Sequence, residues 1–137
     1  MPMIEVPRQT ILQLLGSLMK EPDLLVQTDK YRLTPKDFTR MLDKYIFSTI
    51  YNLYSNGAKQ IHIIDIDTQI QTNPAAKATY EQENGLRFIQ DCEEFSEPQN
   101  FAFYYNQLRK INLLRELQKK GYEISQFYSD NPLDEHY

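Results

Sequence analysis

The chain has 137 residues, 41% of them apolar and 25% charged, which is ordinary usage for one globular domain and excludes both a disordered chain and a large multidomain enzyme. A formal net charge of −4 argues against the strongly basic surface of a dedicated nucleic-acid binder. Four glycines and seven prolines are too few for a turn-rich sandwich, so composition favours helices.

Ile11, Leu14, Leu15, Leu18 and Met19 recur at i, i+3, i+4, i+7 and i+8, which predicts an amphipathic helix over roughly 8–20, stopped at Glu21-Pro22. In Thr34-Pro35-Lys36-Asp37 a hydroxyl, a proline and a carboxylate stand where a helix start uses them, so a short helix begins there. Ile46, Phe47, Ile50, Tyr51, Leu53 and Tyr54 keep helical spacing, so Asn56-Gly57 reads as a helix stop with Gly57 left-handed rather than as a hairpin turn. Residues 60–70 leave two alternatives open. Their β-branched content favours a strand, whereas Ile63, Ile66 and Ile70 share a helical face with Asp65 as an early cap. Asn73-Pro74 restarts a helix, and Leu86, Phe88, Ile89 and Cys92 continue helical spacing up to Ser96-Glu97-Pro98. From Asn100 to Tyr128 no proline intervenes, and Phe101, Tyr104, Leu108 and Ile111 form a seam continued by Leu114, Leu117, Ile124 and Tyr128. A helix of that extent would reach about 40 Å, farther than a head of this size covers.

Chemistry is sparse. Glycines 16, 57, 85 and 121 form no phosphate-binding loop, and His62 and His136 lack metal-ligand spacing. Cys92 is the single cysteine, which excludes an internal disulfide and fits a reducing compartment. It shares the apolar side of Leu86, Phe88 and Ile89, where a buried inert thiol is the ordinary case. Asp65 and Asp67 fall short of a calcium loop and read as capping groups. The ten tyrosines and seven phenylalanines lie mostly at helical spacing among Ile and Leu, as core or helix–helix contacts. We therefore expect no catalytic residue, no metal and no cofactor. Met1-Pro2-Met3-Ile4-Glu5 lacks the features of a secretion signal and no stretch is long and apolar enough for a membrane span, so the expectation is a cytoplasmic protein without a membrane partner. Charge is uneven. Glu81, Glu83, Asp91, Glu93, Glu94 and Glu97 stand against Arg87 alone over 81–99, while 100–128 holds Arg109, Lys110, Arg115, Lys119 and Lys120 against Glu116 and Glu123.

Leu14 through Pro22, then Asp37-Phe38 followed by Ile46-Phe47, then Leu53 and Gly57, resemble the N-terminal domain of DnaB-type replicative DNA helicases. Asn84-Gly85-Leu86-Arg87-Phe88-Ile89 resembles that family's Gly-Gly-x-x-Tyr-Leu segment. Asn100 through Tyr104, Arg109 and Leu114-Arg115-Glu116-Leu117 resemble its Asn-x-x-x-Tyr segment and the long helix that follows. The resemblance covers about residues 8–128. It departs from the family at Ile11-Leu12, where an acidic-polar pair is usual, and at His62, where Asp is usual, as in a divergent phage or mobile-element member.

The resemblance implies an all-α fold, a compact bundle of about six helices at 1–99 followed by a long helix at 100–128 that is one arm of a helical hairpin, with a tail or second-arm start at 129–137. It also implies helix entry at 60–70. In the family a second arm, a linker and an ATPase follow, so the chain is expected to be a fragment of a helicase. The expected role is non-catalytic: self-association through Phe101, Tyr104, Leu108, Ile111, Leu114, Leu117 and Ile124, and docking of primase or a helicase loader, with Arg109, Lys110, Arg115, Lys119 and Lys120 as the docking surface. DNA would bind only weakly or through the motor domain. One alternative is a single-strand nucleic-acid binder using Tyr104, Tyr105, Arg109, Lys110 and Lys119. Another is a free-standing mobile-element protein that binds the host helicase.

Overall fold

The computed structural model describes residues 3–121, and these contain helices and no strand. Six α-helices follow one another: α1 (Arg8–Lys20), α2 (Met41–Ser55), α3 (Ile63–Ile70), α4 (Pro74–Gln82), α5 (Gly85–Phe95) and α6 (Phe101–Lys119), with single 3-10 turns at Pro22–Val26, Pro35–Asp37 and Pro98–Asn100. No helix among the described residues is long and apolar enough to cross a membrane.

The central element is α1, which packs against α5, α6 and α2. Its apolar stripe is the predicted one, yet Thr10, Gln13 and Ser17 are buried as well. Buried polar groups are mostly hydrogen-bonded, and Gln13 and Thr10 are, whereas the Ser17 hydroxyl has no partner among the described residues. The Gln13 amide donates to the Phe95 carbonyl at 2.9 Å and its oxygen accepts the Glu97 N–H at 2.9 Å, while the Thr10 hydroxyl donates to Gln107 Oε1 at 3.0 Å. These bonds stitch α1 to the end of α5 and to α6. At Gly16 the crossing with α5 is close enough that a side chain would collide with the Cys92 carbonyl and Ser96.

The helix boundaries follow local chemistry. The motif at 34–37 yields one 3-10 turn with a capping box between Thr34 and Asp37, shorter than the expected helix because Phe38 returns to extended backbone. Helix α2 ends at Asn56 with Gly57 at φ 103°, the left-handed stop its sequence predicts. The open choice at 60–70 resolves as helix. Ile61 hydrogen-bonds through its N–H to the Met19 carbonyl at 3.0 Å, and His62 then caps α3 in a capping box with Asp65. Asn73 caps α4 through its side chain, which accepts from the N–H groups of Ala75 and Ala76. Asn84, at φ 54°, breaks α4 from α5, and the Tyr80 ring lies over the bare Gly85.

The C-terminal helix is shorter than its pattern. α6 has 19 residues, about 28 Å of helix. It ends at Lys119 rather than running unbroken to Tyr128, because Gly121 turns left-handed at φ 85°. The part of the predicted helix beyond Gly121, and the tail at 129–137, lie outside the described residues.

Candidate interaction surface

Helix α6 carries most of the residues singled out from sequence, and the structure sorts them by face. Phe101, Leu108, Ile111 and Leu114 are buried in this chain, while Tyr104 and Leu117 are half-buried and Ile124 lies outside the described residues. This corrects the expectation of an exposed seam: Phe101 and Leu108 belong to the head's own core, so their apolar surface is already removed from water. The outward side of α6 presents Ala102, Phe103, Asn106, Leu113 and Glu116 instead, with Phe103 56% and Leu113 55% exposed.

Among the basic residues, Arg109, Arg115 and Lys119 line a surface cavity of about 360 Å³ together with Lys36, Asp37, Thr39, Asn112, Leu113 and Glu116. Lys120 is exposed just beyond the end of the helix. Lys110 is a correction. It is only 5% exposed, since one residue after Arg109 the helix has turned about 100°, toward the side where Ile111 and Leu114 are buried. Tyr105 is also internal, its hydroxyl accepting the Arg32 N–H at 3.0 Å. A base-stacking platform built on Tyr105 and Lys110 is therefore excluded.

The cavity is built by the 3-10 turn at 35–37 lying against α6. Arg109 forms an ion pair with Asp37, and its guanidinium sits over the Tyr105 ring at 5.3 Å from the centroid. Asn112 donates to the Asp37 carbonyl at 3.1 Å, and Asp37 accepts the Thr34 N–H at 2.8 Å, so the turn and the helix are locked together. Arg115 donates to the Ile4 carbonyl, and the Ile4 N–H donates to Gln118 at 3.0 Å, which fixes the N-terminal segment along the distal half of α6. Lys36, Leu113 and Thr39 escaped the sequence reading. Lys36 lies in a motif that reads only as a helix start, and no local signal places it beside residues more than seventy positions away.

The remaining candidates are structural. His62 and Asp65 cap α3, and Asp67 accepts the Tyr80 hydroxyl at 2.7 Å. Burial, with that hydrogen bond second, pushes the Tyr80 phenol up. Cys92 is fully buried, and burial pushes its thiol up to about 12, the opposite of an activated nucleophile. Among the described residues no group of three or more His, Cys, Asp or Glu side chains could hold a metal ion.

The described residues thus form a bundle of short helices around a central α1, closed by a longer C-terminal helix that borders a cationic groove. A family model described as the DnaB-like helicase N terminal domain matches residues 12–110, most of the chain, and the chain belongs to that family. It is 29% identical over 127 residues to the SPbeta prophage-derived uncharacterized protein YorI of Bacillus subtilis (strain 168). That match covers 93% of this chain and 25% of the relative, so the chain spans about a quarter of that protein's length. A prophage relative fits the divergent, phage-type character of the sequence. No solved structure matches.

Proposed function

We propose that the chain is a non-catalytic interaction module of a replicative DNA helicase, which associates with copies of itself and docks primase or a helicase loader during DNA replication. The membership of residues 12–110 in the helicase N-terminal domain family carries this reading. The accessible chemistry of α6 supports it: a cationic groove bordered by Arg109, Arg115 and Lys119, with Leu113 exposed between them, suits protein contact better than catalysis. The test is calorimetric titration of the purified chain with the host's primase and with its loader at physiological salt. Binding with a dissociation constant of about micromolar or tighter is expected for one of them. No heat with either, together with a monomer at every concentration, overturns the reading.

The prophage relative favours a second reading, in which the chain comes from a mobile element and acts on the host's helicase. Titration with the intact host helicase separates the two, because only the second predicts a complex with it. Single-stranded DNA is expected to bind more weakly than about micromolar at physiological salt, since a chain with net charge −4 gains little from counterion release.

A further inference from the structure

We propose that the groove beside α6 receives the acidic face of α5 from a second copy of the chain, so that copies join through unlike surfaces. The proposal rests on the reading of the chain as a self-associating module and specifies which surfaces meet.

The groove carries Lys36, Arg109, Arg115 and Lys119 against Asp37 and Glu116. Both carboxylates are already engaged, Asp37 with Arg109 and Glu116 with Lys119 at 3.4 Å. Lys36 and Arg115 have no carboxylate within ion-pair distance among the described residues. The groove is therefore a positive surface around one exposed leucine.

The mirror composition lies on α5. Three of the acidic residues of this region are neutralised inside the chain, Glu81 by Lys77 at 4.0 Å, Glu83 by Arg40 at 2.6 Å and Asp91 by Arg87 at 3.3 Å. Glu93, Glu94 and Glu97 have no ion pair among the described residues. Leu86, Gln90 and Glu93, at i, i+4 and i+7, share a side of the helix with Glu94. Leu86 is 41% exposed, so this face too is a charged surface around one leucine.

Glu93 and Glu94 also stand where the helix disfavours them. They occupy the last turn of α5, near the negative end of the helix dipole, and that turn holds no basic residue. The neighbouring cation from α1, Lys20, is engaged by the Ser96 carbonyl at 2.7 Å. A local conflict of this kind marks a surface selected for something other than the stability of its own helix.

The chain does not satisfy the two surfaces with each other. α5 and α6 both pack on α1, and no ion pair links 81–97 to 109–120 among the described residues. The complement of each surface is on a second copy, and a contact between unlike patches is heterologous.

The experiment uses the full chain in sedimentation velocity across a concentration series, at low and at roughly physiological ionic strength. Wild type is expected to associate, more weakly at the higher salt because exposed charges are screened within about 8–10 Å. Lys36→Glu with Lys119→Glu removes the groove, and Glu93→Lys with Glu94→Lys removes the acidic face. Each double variant alone is expected to self-associate at least tenfold more weakly. Mixed in equal amounts they are expected to form a 1:1 complex, since one partner keeps the acidic face and the other keeps the groove. Far-ultraviolet circular dichroism confirms folding, and the neutral pairs Lys36→Gln with Lys119→Gln and Glu93→Gln with Glu94→Gln replace any variant that does not fold. Wild type that remains monomeric throughout overturns the proposal and the self-association reading together. Wild type that associates while the variants associate equally well, or a mixture that stays monomeric, overturns the proposal alone.

Discussion

Gly16 is the tightest point of the core, and Gly16→Ala tests the packing of α1 on α5 directly. The added methyl would lie well inside 3.0 Å of the Cys92 carbonyl oxygen and of Ser96. Restoring ordinary contacts of about 3.5 Å requires α5 to withdraw, and a gap of about 0.5–1 Å already forfeits a quarter to a half of each dispersion contact along the crossing. Overpacking of this kind costs about 1–3 kcal/mol. The upper part of that range applies, because a main-chain carbonyl held in a helix cannot rotate away. Replacing a helical glycine with alanine returns about 1 kcal/mol. The net loss is about 2 kcal/mol, or a melting temperature lower by about 8 °C for a domain of this length. Thermal unfolding followed by circular dichroism measures it. Adding Ser96→Gly should recover only part, since the Cys92 carbonyl still blocks the methyl. A melting temperature equal to or above that of wild type refutes the assigned crossing, and full recovery in the double variant places the clash at Ser96 alone.

Four further outcomes are expected. Arg8→Met should destabilise by about 2 kcal/mol in urea titrations, because it strips the buried Asp43 carboxylate of bonds at 2.6 and 3.0 Å, discounted for the partial exposure of Arg8. Adding Asp43→Leu should recover most of that loss, and failure to do so would show that the loss does not come from the unpaired carboxylate. The Cys92 thiol and the Tyr80 phenol both ionise at higher pH folded than unfolded, from ordinary values of 9.0 and 10.0. Their stabilisation is therefore complete below about pH 9 and lost as pH rises toward 12, so the urea midpoint should hold from pH 7 to 8.5 and then fall. A thiol reagent at pH 8 should label Cys92 only in denaturant, and rapid labelling of the native chain would contradict its burial. Asn73→Ala should cost about 1 kcal/mol by removing the side-chain cap of α4, and an unchanged midpoint would show that the cap contributes nothing.

Element type was legible wherever local chemistry decides it. The stop at Gly57, the start at Asn73-Pro74 and the extent of α1 depend on residues within one turn of each boundary, which periodicity and capping report. Residues 60–70 were not legible from pattern, because β-branched isoleucines meet both templates and the deciding contact, Ile61 on the Met19 carbonyl, is tertiary. The end of α6 was overestimated since a lone Gly121 is a weak stop in sequence and a firm one once it adopts positive φ. The candidate surface was half legible. Arg109, Arg115 and Lys119 announce themselves as a basic helix, but which apolar residues of that helix face inward depends on where α1 lies, and periodicity gives a face without its direction. Lys110 shows the same limit, a charge whose burial no composition argument foresees.

The N-terminal segment lies along the distal half of α6, with both backbone groups of Ile4 held by Gln118 and Arg115. During synthesis this means that the segment around Ile4 waits for the distal half of α6 before it is secured. Helix α1, needing α5 on one side and α6 on another, stays partly uncovered on the ribosome until α6 has emerged. Domains that close in this order fold only once their last helix has emerged rather than piecewise, and they spend that interval with apolar surface available to chaperones and to neighbouring nascent chains. A ribosome stalled before α6 is complete would accordingly display a protease-sensitive head, and one stalled well beyond Gly121 a resistant one.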